Sequence, residues 1–192
     1  KVTITYDQFD YDWFDSLPTL KRNKGNQKTT QKYYYVDLVT AFDIETTYLK
    51  EVDQSVMYIW QWQFGDVCTV IGRSWFELKQ FMRKLQNVLI KDRLVVFVHN
   101  LSYEYEFLSG VFDFAPEDVF CMDARKVLKA TLNNTFEFRC SYLQTNMSLR
   151  AFCEKMNVPS YKLKMKYNKR RFWYTDLTDK ELAYCINDVR GL

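Results

Sequence analysis

The heptapeptide Ala41-Phe42-Asp43-Ile44-Glu45-Thr46-Thr47 constrains this chain more than any other stretch. It follows Tyr34-Tyr35-Val36-Asp37-Leu38-Val39-Thr40, rich in β-branched and aromatic residues, which reads as a strand bringing two carboxylates to its end. Asp43 and Glu45 lie two residues apart, so on a strand they share one face, with Phe42 and Ile44 on the other. Like charges held together beside an apolar layer repel each other and cost stability. A divalent cation removes that cost, and hard carboxylate oxygens suit Mg²⁺ or Mn²⁺. A lone D-x-E whose acids face water needs no ion, so acids elsewhere in the chain must decide between the two readings.

A length of 192 residues makes one domain with room for an appended arm. Aromatic residues are abundant at 18%, and a net charge of only +3 excludes a bulk polycation, so any contact with nucleic acid must be local. The five cysteines (Cys68, Cys121, Cys140, Cys153, Cys185) are scattered without a C-x-x-C, and read as reduced core residues of a cytosolic protein with no zinc site. No signal peptide and no apolar run of about 18 residues is present, so a membrane is not an expected partner. The chain lacks an initial Met and stops just after an apolar-patterned helix, which reads as a piece of something longer.

Residues 1–32 read as an N-terminal arm that packs by its aromatics, which alternate with acids from Tyr6 to Asp15, followed by a mobile basic loop from Lys21 to Lys28. Residues 33–192 read as the main domain. After the first strand, Val56–Gly65 and Val67–Ile71 read as strands around a Gly65-Asp66 turn. Ser74 and Glu77 form a capping box, and Leu78, Phe81, Met82, Leu85 and Val88 follow at helical spacing. Leu94–Val98 is a buried strand by its continuous apolar run, and a helix follows from Tyr103. Phe120–Met122, Lys126–Leu132 and Phe136–Tyr142 read as short strands, the last two joined by an Asn133-Asn134 turn. A helix around Leu149–Met156, a basic stretch containing Lys162, Lys164, Lys166, Lys169, Arg170 and Arg171 that reads as a solvated loop, and a final helix capped by Thr178 and Glu181 complete a mixed α/β layout.

Two further acids are candidates. Glu104 falls in the first helical turn after His99-Asn100-Leu101-Ser102-Tyr103, where the helix dipole favours an acid on structural grounds alone. Tyr184 and Asp188 lie four apart, on one face of the last helix. The same Y-x-x-x-D spacing at Tyr6/Asp10 and Tyr11/Asp15 has no apolar strand or capped helix to carry it.

Taken in order, strand D-I-E-T-T, strand-end H-N-L-S-Y-E and helix Y-C-I-N-D make the sequence resemble, from about Val39 to Asp188, the 3′–5′ exonuclease domain of family B DNA polymerases, in particular the protein-primed type of phages and linear plasmids. The resemblance implies an RNase H-like mixed β-sheet flanked by helices, with four carboxylates holding two Mg²⁺ or Mn²⁺ ions. Asp43, Glu45 and Thr46 match its D-x-E-T motif, and Tyr184 and Asp188 its Y-x-x-x-D motif. Asn100 matches the second motif, where Glu104 replaces the family's Asp. Lys162 and Tyr167 match a Lys and Tyr five apart, and Tyr142-Leu143 stands where Ser/Thr-Leu is expected. The implied roles are metal binding for Asp43, Glu45, Glu104 and Asp188, water orientation for Tyr184 and phosphate stabilisation for Lys162. Thr46, His99, Asn100, Tyr103, Leu143 and Tyr167 are implied to hold the 3′ end of single-stranded DNA.

The implied function is proofreading during DNA replication. The implied partners are a polymerase domain of the same longer chain and a terminal priming protein. The implied location is the host cytoplasm for a phage or the mitochondrion for a plasmid. The alternatives are a catalytically degenerate module that binds DNA or a priming protein, and an RNA-directed relative.

Overall fold

The computed structural model describes residues 2–23, 32–158, 163, 165 and 169–192. In chain order the elements are β1 (Val2–Thr5), α1 (Tyr11–Asp15), β2 (Thr19–Asn23), β3 (Lys32–Val36), β4 (Thr40–Leu49), β5 (Gln54–Phe64), β6 (Cys68–Gly72), α2 (Trp75–Leu89), β7 (Leu94–Val98), α3 (Leu101–Ser109), β8 (Val119–Cys121), β9 (Val127–Leu132), β10 (Phe136–Cys140), α4 (Tyr142–Thr145), α5 (Leu149–Lys155) and α6 (Asp179–Arg190). Eight strands form one mixed sheet in the order β1-β6-β5-β4-β7-β10-β9-β8, and β2 and β3 form a separate hairpin. β4 runs antiparallel to β5 and parallel to β7, so the strand carrying Asp43 and Glu45 is central.

Local chemistry sets most of these elements. Ser74 and Glu77 close the capping box of α2, and Leu78, Phe81, Met82 and Leu85 bury the resulting apolar stripe. Phe81 meets Trp60, Trp62 and Phe64 of β5, so α2 covers one face of that strand. Asn133 and Asn134 both adopt positive φ, 52° and 57°, in the tight turn between β9 and β10, which the Thr135 N–H closes on the Leu132 carbonyl. Gly72 pairs with Trp60, and a Cβ there would stand 2.3 Å from the indole. On the opposite face, α6 lies over β4 and β5 and packs Cys185 with Tyr58 and Ile59.

The structure differs from the sequence reading at several places. The first strand does not run unbroken from Tyr34 to Thr47. β3 ends at Val36, whose N–H is taken by the Arg93 carbonyl, while that of Asp37 goes to Pro18. β4 starts afresh at Thr40, so the two acids lie within a ten-residue strand rather than at its end. Residues 2–17 pack by their aromatics as the sequence reading expects, with Phe9 and Phe14 against Phe64 and Phe81, but they also contribute β1, which pairs in parallel with β6. β10 stops at Cys140, and Tyr142 and Leu143 belong to the single turn of α4. Cys68, Cys140, Cys153 and Cys185 are buried, but Cys121 is exposed. Residues 24–28 of the basic loop lie outside the described residues. No helix among the described residues is long and apolar enough to cross a membrane.

Candidate active site

Strand alternation puts Asp43 and Glu45 on the α6 face of β4, while Phe42 and Ile44 are buried in the opposite core. The ladder with β5 shifts register between Glu45 and Thr46, a bulge of the kind that re-aims side chains. Thr178 and Glu181 cap α6, and Leu177 and Leu182 pack beside Tyr58 and Ile59, which fixes the helix over the sheet. Asp188 therefore meets the strand acids. One carboxylate oxygen from each of Asp43, Glu45 and Asp188 lies within 4.8 Å of the others. Tyr184, one turn earlier, is half-buried against the same small apolar cluster.

Glu104 reaches the group from α3. It is only 3% exposed, and its Oε2 has no hydrogen-bond partner among the described residues. Burial and the charge of Asp43 push the Glu104 pKa well above the usual range. Burial and the charge of Asp188 raise Asp43 to about 8, against hydrogen bonds from Glu104 and Gln61. Burial together with Asp43 and Asp188 raises Glu45 to about 9, and burial alone raises Asp188 to about 6. These acids crowd together at a cost that a positive ion would remove. Their all-oxygen donor set and the orphaned Glu104 Oε2 fit a hard divalent cation.

The rim is mixed. Thr46 Oγ1 and the Tyr103 hydroxyl lie 2.6 Å apart beside a cavity of about 740 Å³ that Glu45, Lys50, Lys169, Arg170 and Arg171 also line. His99, at the end of β7, sets its Nδ1 3.2 Å from Ser141 Oγ and meets the Tyr142 ring edge-on. Asn100 caps α3 in the left-handed region and is exposed, as is Leu143 on α4. Lys162 and Tyr167 lie outside the described residues, as do Lys164 and Lys166 of the basic run.

Arg171 is not the solvated loop cation that its place in that run suggests. It is 3% exposed and donates through Nε and Nη2 to Glu181, at 2.9 and 2.6 Å, and through Nη1 to the Lys169 carbonyl. Its backbone N–H donates to Thr47 Oγ1, so it ties α6 to β4. Gln61 was also missed by the sequence reading. It stands opposite Asp43 on β5 and donates from Nε2 to Asp43 Oδ2 at 2.8 Å. The available signal was the alternation Trp60-Gln61-Trp62-Gln63, which puts an amide stripe on one face of an otherwise apolar strand.

Comparison with known proteins agrees with this geometry. A family model described as 3′–5′ exonuclease, and bearing the name of DNA polymerase A, matches residues 19–192. The chain belongs to this 3′–5′ exonuclease domain family of the DNA polymerases. Among solved structures it is similar to Phi29 DNA polymerase complexed with single-stranded DNA, with a TM-score of 0.66 and 15% identity, covering 80% of this chain and 30% of that one. Phi29 DNA polymerase with primer-template DNA and incoming nucleotide gives 0.65 at 16% identity, covering 80% and 29%. The fold is thus the RNase H-like α/β fold of that polymerase's exonuclease domain. The chain spans about 30% of the Phi29 polymerase's length. A search of curated proteins found no match.

Proposed function

We propose that this chain is the proofreading domain of a protein-primed, family B DNA polymerase, hydrolysing single-stranded DNA from its 3′ end with two Mg²⁺ or Mn²⁺ ions. The gathering of Asp43, Glu45 and Asp188 oxygens within 4.8 Å carries this reading. Asp43, which meets Glu45 and Asp188 and whose charge acts on Glu104, would serve both ions. Bound ions would lower the pKa of the attacking water and offset charge on the phosphate and the leaving oxygen. Tyr184 lies on the Asp188 face of α6, where its hydroxyl would orient that water.

Thr46, His99, Asn100, Tyr103 and Leu143 would hold the terminal nucleotides, with the half-exposed Tyr103 ring as a stacking surface. Lys50, Lys169 and Arg170 line the neighbouring cavity and suit the phosphates of the incoming strand. Lys162 and Tyr167 would take the phosphate-stabilising and end-holding roles that the resemblance to the exonuclease family implies. The polymerase portion of a longer chain and a terminal priming protein are the partners this reading requires.

The test is digestion of a 5′-labelled single-stranded DNA oligomer with Mg²⁺ or Mn²⁺, beside an EDTA control and the Asp43→Ala protein. The expected result is a metal-dependent ladder shortening from the 3′ end, reduced on the order of 10³-fold in the variant, the scale of deleting one group that stabilises developing charge. Equal digestion by the variant would sink the assignment. Glu104 in the place of the family's Asp, with Tyr142-Leu143 in the place of Ser/Thr-Leu, favours a second reading, a degenerate module that binds DNA or a priming protein. Tight binding of single strands by the folded protein, with no hydrolysis in Mn²⁺, would favour that one.

A further inference from the structure

Gln61 lies in the middle of β5 and is fully buried. Its neighbours Trp60 and Trp62 turn into the core beneath α2, so Gln61 faces the α6 side with Ile59 and Gln63. The two glutamines differ in how their amides are used. Gln63 is satisfied at both ends, donating to the Gly65 carbonyl and accepting from Thr69 Oγ1. Gln61 donates only to Asp43 Oδ2, and its own Oε1 is buried with no hydrogen-bond partner among the described residues. An unsatisfied buried carbonyl is destabilising, and an apolar side chain of the same shape would avoid that cost. Such a group in a well-packed strand calls for an explanation other than stability.

We infer that Gln61 is a positioning residue for the acid cluster: its amide fixes the rotation of the Asp43 carboxylate, and so sets the affinity of the site for a divalent ion. The register pairs Asp43 directly with Gln61, so the donor is held by the sheet itself rather than by a loop. An amide suits the task because it donates without adding charge. A Lys or Arg here would neutralise Asp43 and repel the ion the acids are gathered to hold. Partners that orient metal-ligating carboxylates are typically worth roughly 10–100-fold in metal affinity or activity.

The inference rests on reading Asp43 as a metal ligand, and the experiment separates the two. Gln61→Met removes the amide at nearly constant shape, and Gln61→Leu is made beside it to expose a packing defect peculiar to one side chain. For each folded protein, Mn²⁺ binding is measured by calorimetry, the metal-free Tm by thermal melting, and kcat and KM on a single-stranded DNA oligomer. The expected result is Mn²⁺ affinity lowered roughly 10–100-fold and kcat lowered on the same scale, with KM unchanged. The metal-free Tm should stay level or rise, because the orphaned oxygen is gone. Unchanged Mn²⁺ affinity overturns the inference. So does a loss that appears in both variants only together with a collapse of Tm, which would make Gln61 a packing residue. Weakened Mn²⁺ binding by the variants of a wild-type protein that digests no DNA would support Gln61's role while defeating the nuclease reading.

Discussion

Glu137 on β10 and Glu45 on β4 are both buried glutamates of one sheet, 2% and 8% exposed. Around Glu137, Arg93 and the Tyr35 hydroxyl donate to Oε2 at 3.2 and 3.0 Å, and Arg139 Nε donates to Oε1 at 2.7 Å. Arg93 also donates to the Asn134 carbonyl, and the Tyr33 ring covers its guanidinium at 3.5 Å. Burial pushes the Glu137 pKa up, but Arg139 and the hydrogen bonds outweigh it and hold the carboxyl below its usual range. Around Glu45 the nearest charges are Asp43 and Asp188, and the nearby Arg171 is engaged with Glu181. Similar burial thus leaves one acid ionised and paired, joining the β2–β3 hairpin to the sheet, and the other short of positive charge. A buried acid with its partners supplied by the chain is structural. One that lacks them leaves room for a cation from solution.

Glu137→Gln is the severest test of that contrast. It leaves Arg93 buried without its counter-charge, which costs roughly 3–5 kcal/mol. The expected fall in Tm is on the order of 10 °C for a chain of this size, with the proposed nuclease activity retained well below Tm. An unchanged Tm would erase the distinction between the two sites.

A pH series without metal should separate the clusters next. Asp43, Glu45 and Asp188 have folded-state pKa values of about 8, 9 and 6, above those of the unfolded chain. The folded protein therefore holds extra protons. The stability this confers is full below the unfolded values, near pH 4, and is lost as pH rises through 6 to 9. In EDTA, Tm should fall by several degrees on going from about pH 5 to about pH 9, and Mn²⁺ should restore more of it at the alkaline end. A Tm that climbed across that range in EDTA would mean the acids are paired within the chain.

The smallest change in Tm is expected from Glu45→Gln at about pH 8. With its pKa raised to about 9, Glu45 is largely protonated in the fold at that pH, and taking up the proton costs stability that a Gln does not lose, so the metal-free Tm should rise by roughly 2–4 °C, the equivalent of about 1 kcal/mol, while the proposed DNA hydrolysis is abolished. The same exchange of acid for amide would then stabilise one cluster and destabilise the other. A fall in Tm like that of Glu137→Gln would overturn the comparison.

Much of the local structure was legible in the chain. The Ser74/Glu77 and Thr178/Glu181 capping boxes mark the starts of α2 and α6, and the Asn133-Asn134 pair marks the β9–β10 turn. Each works through hydrogen bonds or φ preferences within a few residues. The strand from Tyr34 to Thr47 was misread as continuous because β propensity carries no record of hydrogen-bond partners. Those of Val36 and Asp37 turned out to be Arg93 and Pro18. Arg171 was counted with a solvated basic run because charge predicts exposure, whereas Glu181, the Lys169 carbonyl and Thr47 together satisfy it in the interior.

What the sequence by itself determined is the chemistry present and its short-range spacing. Two acids share one strand face, a Tyr and an Asp share one helix face, and an acid opens α3, because periods of 2 and 3.6 residues are properties of the backbone. Only the tertiary structure decided that these faces meet. The docking of α6 over β4 and β5 brings Asp188 within 4.8 Å of Asp43 and Glu45, and the β4–β5 register sets Gln61 against Asp43. A slip of one residue in that register would turn the amide to the opposite face, and no pattern within either strand alone specifies it. It is fixed by the sum of many buried contacts across the sheet, from Trp60 and Trp62 under α2 to Ile59 under α6.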